Sequence, residues 1–231
     1  MPKERIEKII ARSTQFSRAQ ITKMIRKGDI AVNGTKILKS IQVDIENDAI
    51  SIKNQPITLT KYHYYLFNKP AGYLSANTDK NQQTIFDLIN LKKNQYFCVG
   101  RLDKDTEGLL IITDDGSWSN WVLKPQNHVP KTYHVEVDKD FDDHIKNYTG
   151  DIKIQNHVVK DYKFNFIAKN ICQLTIYEGK FHQVKQMLSF FGYQVTYLKR
   201  ISFGSINLPL DLKKGELRQI DESIINSLKK I

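Results

Sequence analysis

The chain has 231 residues, 40% of them hydrophobic, so it is long enough for one large domain or two smaller ones with packed cores. Its 35 Lys and Arg residues exceed its 25 Asp and Glu residues, and the resulting net charge of +10 favours a polyanion such as RNA or DNA as the partner. The charged amino terminus lacks the apolar core of a signal peptide, and no stretch approaches the roughly 18 apolar residues of a membrane span. We therefore expect a cytoplasmic protein that does not enter a membrane.

The first sixty residues predict two helices followed by a small sheet. Ser17 and Gln20 form the capping-box pattern that begins a helix, and Gly28 is a typical helix end. Asn33-Gly34 between two apolar runs is a strong signal for a two-residue hairpin turn. The predicted elements are helices over residues 5–12 and 17–28 and strands over 30–32, 37–38 and 50–52. We expect the polar, proline-containing stretch 53–56 to be a linker.

The second of these helices separates apolar from basic side chains. Ile21, Met24 and Ile25 share one face, and cations lie opposite, although an ordinary solvated face would show the same pattern. The segment, above all residues 25–34, resembles the S4 RNA-binding domain, a small α-L fold, and we assign this domain to residues 1–58. The resemblance implies that RNA phosphates contact four cations of the helix, Arg18, Lys23, Arg26 and Lys27.

Short strands and a few helices follow one another from residue 59 onward. Cys172, Leu174 and Ile176 alternate with polar residues, as is typical of a half-buried strand. The predicted strands cover 64–67, 109–113, 132–137, 171–177 and 194–198, and the predicted helices cover 84–91, 117–123, 182–191 and 222–229. Because regular helical crossovers do not separate the strands, we predict an α+β domain over residues 59–231 with a mainly antiparallel or mixed sheet flanked by helices.

An acid-rich turn precedes the predicted strand 109–113. It places Asp103 at the mouth of that strand, where a scaffold can hold a carboxylate while substrate still reaches it. The order Arg-Leu-Asp-x-x-Thr-x-Gly-Leu, which begins at Arg101, resembles the active-site motif of the RNA pseudouridine synthases. Further segments extend the resemblance in the family's order, at residues 66–73, 131–133 and 178–187.

The resemblance implies that the chain isomerises a uridine of ribosomal RNA to pseudouridine without a metal or other cofactor. Asp103 would be the catalytic carboxylate, Lys185 would form an ion pair with it, and Tyr133 would stack on the target base. Arg101 would contact the RNA backbone or fill the place of an extruded base, and Lys69 would touch RNA beside the site.

Other interpretations stay open at this stage. Residues 113–119 and the His-Gln-Val-Lys order are most similar to the small-subunit branch of RsuA type, whose target is uridine 516 of 16S ribosomal RNA in standard rRNA numbering. A 23S ribosomal RNA synthase shares most of these motifs, and a non-catalytic RNA-binding or ribosome-assembly protein would need only the S4 segment. For Arg101 the alternative is a structural ion pair with Asp105 or Glu107. We expect a monomer, since no surplus apolar stripe is evident.

Overall fold

The computed structural model describes residues 3–59, 62–226 and 228 and divides the chain into two compact units, Met1–Tyr62 and His63–Ile231. The first unit combines two helices with short strands in its described part. These elements are β1 (Glu4–Arg5), α1 (Ile6–Ser13), α2 (Arg18–Lys27), β2 (Ile30–Val32), β3 (Thr35–Lys36), β4 (Gln42–Val43), β5 (Ile50–Ile52) and β6 (Gln55–Pro56). An antiparallel sheet has the order β3-β2-β5-β6, and β1 pairs with β4.

Helix α2 forms as its local signals predict. The Ser17 side chain accepts a hydrogen bond from the Gln20 backbone N–H, and the Gln20 side chain accepts one from the Ser17 N–H. Gly28 ends the helix in the left-handed region at φ +73°. Ile21 and Ile25 are buried in a core that they share with the apolar face of α1. The predicted helix and both of its caps are confirmed.

Two sequence expectations in this unit are wrong. The strand expected at 37–38 lies at Thr35–Lys36, because Asn33 and Gly34 both have positive φ and form a turn so tight that pairing resumes at once. The expected linker 53–56 belongs to the sheet, since β6 (Gln55–Pro56) pairs with β5 across a turn at Lys53 and Asn54. A proline at a sheet edge needs no ladder N–H, which explains why its presence did not exclude a strand.

The second unit is an α+β fold, as predicted. Its first half contains β7 (Tyr64–Lys69), β8 (Phe97–Val99), β9 (Glu107–Thr113), α3 (Gly116–Leu123), β10 (Lys131–Val137), α4 (Asp143–Lys146), β11 (Ile152–Ile154) and β12 (His157–Val159). Its second half contains β13 (Tyr162–Ala168), β14 (Ile171–Ile176), α5 (Gln183–Phe190), β15 (Val195–Phe203), β16 (Ile206–Asn207), β17 (Leu217–Ile220) and α6 (Glu222–Asn226).

One large mixed sheet organises this unit. Its order is β13-β14-β10-β15-β9-β7-β17, with β8 on β9 and β16 on β15. Neighbours are antiparallel except β9 and β15, which run parallel. Buried side chains of β10, β14 and α5 meet in the main core, so the sheet and α5 hold the intervening loops in place. No helix in the described ranges is long and apolar enough to cross a membrane.

The helix expected over residues 84–91 is wrong. The structure has one 3-10 turn there, Ile85–Asp87. The Asp87 carboxylate accepts hydrogen bonds from the backbone N–H and the hydroxyl of Thr84, the residue that precedes the turn. These bonds close the segment into a single turn. The buried positions Ile85, Phe86 and Ile89 have helical spacing but line a single turn. The last predicted helix begins at Glu222 as expected, and its expected end at Lys229 lies outside the described residues.

Gly108 makes the parallel pairing of β9 and β15 sterically feasible. Its φ is +99°, and a Cβ at this position would lie 2.3 Å from the carbonyl oxygen and 2.9 Å from the nitrogen of Arg200. Glu107 and Gly108 are the residues of β9 that pair with β15. An L side chain would therefore meet both an unfavourable backbone conformation and a backbone atom that cannot move without breaking the sheet.

We expect Gly108→Ala to lower the free energy of unfolding by about 3 kcal/mol, from the combined cost of a positive φ and of overpacking. Urea denaturation followed by circular dichroism would measure this. Gly116→Ala is the matched control, because its Cβ would meet only an ordinary 3.9 Å contact at the start of α3. Equal stability of the two variants would contradict the steric argument.

Candidate active site

A cavity that is open to solvent lies in the second unit. Its walls come from the loop between β8 and β9, from β10, and from the turn that leads into α5. The lining residues are Arg101, Leu102, Asp103, Thr106, Tyr133, Ile176, Gly179, Lys180, His182, Gln183, Val184 and Leu198. Three of the sequence-predicted site residues thus line one cavity: Arg101 and Asp103 from the loop between β8 and β9, and Tyr133 from β10.

Backbone hydrogen bonds hold the loop that carries Asp103. The Ser75 hydroxyl donates to the Leu102 carbonyl and accepts from the Leu102 N–H, at 2.9 and 3.1 Å. The Gly72 N–H donates to the Lys104 carbonyl at 2.8 Å. The Thr106 N–H donates to the carbonyl of Asp103 at 3.1 Å. A loop held on both sides in this way presents its carboxylate in one position.

Lys69 is a structural part of this loop, and the expectation that it touches RNA is wrong. Its side chain is fully buried, and its ammonium donates hydrogen bonds to four backbone carbonyls, those of Pro70, Asp103, Lys104 and Thr106, at 2.8 to 3.1 Å. Burial lowers the pKa of Lys69 to about 8, against the opposing effect of nearby carboxylates, so the group is still charged at neutral pH. A buried ammonium that satisfies loop carbonyls cannot reach a phosphate.

The Asp103 carboxylate lies near the ammonium of Lys185 and the imidazole of His182. Its side chain is 27% exposed, and one oxygen is 3.7 Å from Lys185 Nζ while the other is 3.7 Å from His182 Nε2. The shorter contacts of Lys185 go to Asp105, at 2.6 and 2.7 Å. The pKa of Asp105 is lowered, because the bond and charge of Lys185 together outweigh the effect of burial, which raises it. The expected pair of Lys185 and Asp103 is therefore a longer contact within a cluster of four residues, Asp103, Asp105, His182 and Lys185.

Tyr133 forms part of the cavity wall from the middle of the sheet. It lies on β10, opposite Leu174 of β14 and Arg200 of β15, and is 8% exposed. A register shift on the β15 side falls between Thr132 and Tyr133. The neighbouring strands fix its backbone, so its ring faces the cavity from a rigid element.

The remaining predicted contacts are exposed cations. Arg101 is exposed at the cavity. The alternative was an ion pair with Asp105 or Glu107, but in the described part of the chain Asp105 pairs with Lys185 at 2.6 Å and Glu107 with Lys214 at 2.7 Å. In the first unit, the four cations of α2 are all exposed: Arg18, Lys23, Arg26 and Lys27.

Comparison with known proteins identifies the family. Residues 63–190 match the sequence profile described as RNA pseudouridylate synthase, which is more than half of the chain, and residues 4–50 match the S4 domain. The chain belongs to the RNA pseudouridine synthases. It is therefore an isomerase that carries an amino-terminal S4 domain.

Relatives of this synthase match it along almost their whole length. A Bacillus subtilis protein named as an uncharacterised RNA pseudouridine synthase is 35% identical over 97% of this chain and 98% of its own length. The ribosomal small subunit pseudouridine synthase A of Haemophilus influenzae is 32% identical over 98% of this chain and 100% of its own length. A crystal structure of a pseudouridylate synthase, 31% identical, covers 97% of this chain and 99% of its own with a TM-score of 0.69.

The sequence did not predict that two further residues, His182 and Asp105, belong to the charge cluster around Asp103 and Lys185. His182 lies in a predicted motif but received no role, and Asp105 was considered only as a partner of Arg101. The spacing of His182 and Lys185, three residues apart at the start of a helix, would have placed both on one face. No sequence signal indicates that Lys185 prefers Asp105 to Asp103, because that choice depends on the loop conformation.

Proposed function

We propose that the synthase converts uridine 516 of 16S ribosomal RNA to pseudouridine with Asp103 as the catalytic carboxylate. The observation that carries the proposal is the Asp103 carboxylate at a cavity wall, held by a rigid loop and accompanied by Tyr133, Lys185 and His182. The ribosomal target rests on relatives that are named as small-subunit synthases and align with nearly the whole chain.

The chemistry needs an ionised carboxylate next to the ribose or the base. The N1–C1′ bond breaks, the uracil ring turns, and a C5–C1′ bond forms, while the C5 proton is lost and N1 gains one. Asp103 performs this by attack at C1′, by attack at C6, or by removal of the C2′ proton, and each route begins from the negative charge. The ammonium of Lys185 balances that charge, and Lys185 and His182 together orient the carboxylate.

The neighbouring side chains hold the substrate. Tyr133 stacks on the uracil ring and keeps the detached base in the cavity while it turns. Arg101, exposed at the entrance, contacts the RNA backbone where the uridine is extruded from its helix. Phosphate contacts by the S4 unit bring the RNA to the enzyme without reading its sequence.

The decisive experiment maps pseudouridine in 16S and 23S ribosomal RNA after deletion of the gene. Loss of the modification at uridine 516, and its return when purified protein is incubated with 16S RNA from the deleted strain, is the expected result. Loss at a 23S position instead would reassign the substrate. Unchanged maps together with no product in vitro would leave only RNA binding.

We expect a quadruple variant of α2, with Arg18, Lys23, Arg26 and Lys27 changed to Gln, to bind ribosomal RNA more weakly. If all four contact phosphates, the slope of log affinity against log salt should flatten by about 3, at roughly 0.7 to 0.9 per contact. Because all four are exposed, stability should change by less than about 0.5 kcal/mol. Filter binding over a series of KCl concentrations measures both the affinity and the slope.

The control removes the same charge from the second unit. Four of its exposed lysines are changed to Gln: Lys153, Lys160, Lys163 and Lys169. An equal loss of slope in both quadruple variants would show that net charge, and not the α2 face, attracts the RNA.

A further inference from the structure

An exposed aromatic ring lies beside the cavity, next to His182. Phe181 is 71% exposed, which is unusual for a ring this large. Its ring stacks on that of His182, with centroids 3.8 Å apart and planes 20° apart. Since His182 covers one face of the Phe181 ring, the exposed area belongs largely to the other face and the edge.

The turn that carries this ring pair is held rigidly. His182 has a left-handed backbone, φ 49° and ψ 31°, directly before α5. The Gln186 side chain donates to the Phe181 carbonyl at 2.6 Å, and the Lys180 N–H donates to the Gln183 side chain at 2.8 Å. A fixed backbone keeps Phe181 outward even though water is a poor environment for its ring.

The groups around the Phe181 ring indicate which kind of ligand it binds. Asp103 lies in the cavity wall, His182 Nε2 contacts it at 3.7 Å, and the Phe181 ring stacks on the His182 ring. Exposed cations, Lys180 and Arg101, line the same cavity. An exposed π face next to cations suits an unpaired base with its phosphates, because every nucleobase has a π face and is joined to negative charge.

We infer that Phe181, supported by His182, is a stacking platform for an unpaired nucleobase adjacent to the target uridine. The inference rests on the proposed function and adds a second base-binding position to the same site. The platform holds the base equally well before and during the reaction, so it contributes to substrate binding and not to the chemical step. Phe181 is a specificity and binding residue in this assignment, and Asp103 keeps the chemistry.

The test compares Phe181→Ala, Phe181→Leu and Phe181→Tyr in steady-state kinetics with 16S ribosomal RNA. We expect KM to rise about tenfold or more for the Ala and Leu variants with kcat within about threefold, and the Tyr variant to match the wild type, since only Tyr keeps the π face. Leu210→Ala, which removes a fully exposed apolar side chain elsewhere, should leave KM unchanged. Unchanged KM in Phe181→Ala would overturn the inference, as would a wild-type KM in Phe181→Leu, which would indicate a general apolar contact such as one with a protein.

A fluorescence measurement separates this inference from the proposed function. Fragments of 16S RNA carry 2-aminopurine on either side of uridine 516, and stacking on Phe181 should quench one of the two probes in the wild-type complex but not with Phe181→Ala. If the wild type forms no pseudouridine yet shows this quenching, the proposed function fails and the platform stands. If it forms pseudouridine and neither probe responds to Phe181, the platform fails and the proposed function stands.

Discussion

Asp103→Asn is expected to lower kcat by at least about 1,000-fold, in the upper part of the range for removal of a positioned acid or base. The amide has the same shape and can occupy the same place in the loop, but it is neutral and neither accepts the sugar proton nor attacks carbon. Affinity for ribosomal RNA should stay within about twofold, because phosphate contacts dominate it. Single-turnover formation of pseudouridine and filter binding measure the two quantities separately.

Asp105→Asn is the matched control, since Asp105 carries the same group two residues away and takes the shortest contacts of Lys185. Its removal leaves Lys185 free to approach Asp103, which is already 3.7 Å away, so activity should stay within about tenfold of the wild type. The opposite ranking, with Asp105→Asn inactive and Asp103→Asn active, would move the reactive carboxylate to position 105.

Local sequence signals were sufficient to predict the elements that are determined by residues close together in the chain. The capping box of Ser17 and Gln20, the left-handed Gly28 and the Asn33-Gly34 turn each act within a few residues, and each is present in the structure. Strands with alternating or continuous apolar residues were also predicted correctly, because these patterns reflect which side chains are buried. The α+β class of the second unit followed from their order.

The errors have both local and tertiary causes. The stretch 84–91 has the apolar spacing of a helix, but the Asp87 carboxylate closes a single turn on Thr84. The stretch 53–56 looks like a linker until β5 supplies a partner for it. Lys69 looks like a surface cation because its carbonyl partners at residues 103–106 are remote in sequence. Only the partners of Lys69 are remote in sequence, since Thr84 and Asp87 are three residues apart and β6 follows β5 across a turn at Lys53 and Asn54.

Residues of the candidate site could be chosen from the sequence, but their arrangement in space could not be predicted. Asp103 and Tyr133 were chosen through a resemblance and not through any local pattern that sets the distance between them. The cavity that they share exists because β9, β10 and β15 are neighbours in one sheet, which is a property of the whole unit. The contact of His182 with Asp103 likewise depends on the left-handed turn before α5.

Lys69→Met is expected to weaken folding and turnover together. It removes a hydrogen-bond donor from four carbonyls. Those of Asp103 and Lys104 keep the backbone N–H donors of Thr106 and Gly72, whereas those of Pro70 and Thr106 lose the ammonium. At roughly 1 to 3 kcal/mol for each of these two groups, partly offset by removal of a buried charge, we expect a loss of about 3 kcal/mol in the free energy of unfolding. The loop that presents Asp103 loses its internal support, and a displacement of about 1 Å can cost about 100-fold in kcat.

RNA binding distinguishes this role from the contact expected from the sequence. If Lys69 only supports the loop, affinity for ribosomal RNA and its salt slope stay unchanged in Lys69→Met. If it touched a phosphate, the slope would fall by roughly 0.7 to 0.9 and stability would hardly change. Lys104→Met, which removes an exposed cation from the same loop, controls for charge and should leave stability within about 0.5 kcal/mol.

The pH dependence of the stability difference gives an independent check on Lys69. Burial holds its pKa at about 8 in the folded protein, against an ordinary value of 10.5, so between these two pH values the unfolded chain binds more protons than the folded one. The wild type should therefore gain stability relative to Lys69→Met as the pH rises through this window, by up to about 1.4 kcal/mol per pH unit. Urea titrations at pH 7.5 and 9.5 (roughly, the two sides of the folded pKa) measure the change. A constant difference would mean that the ammonium titrates as if exposed, and a surface position for Lys69 would then replace the buried one.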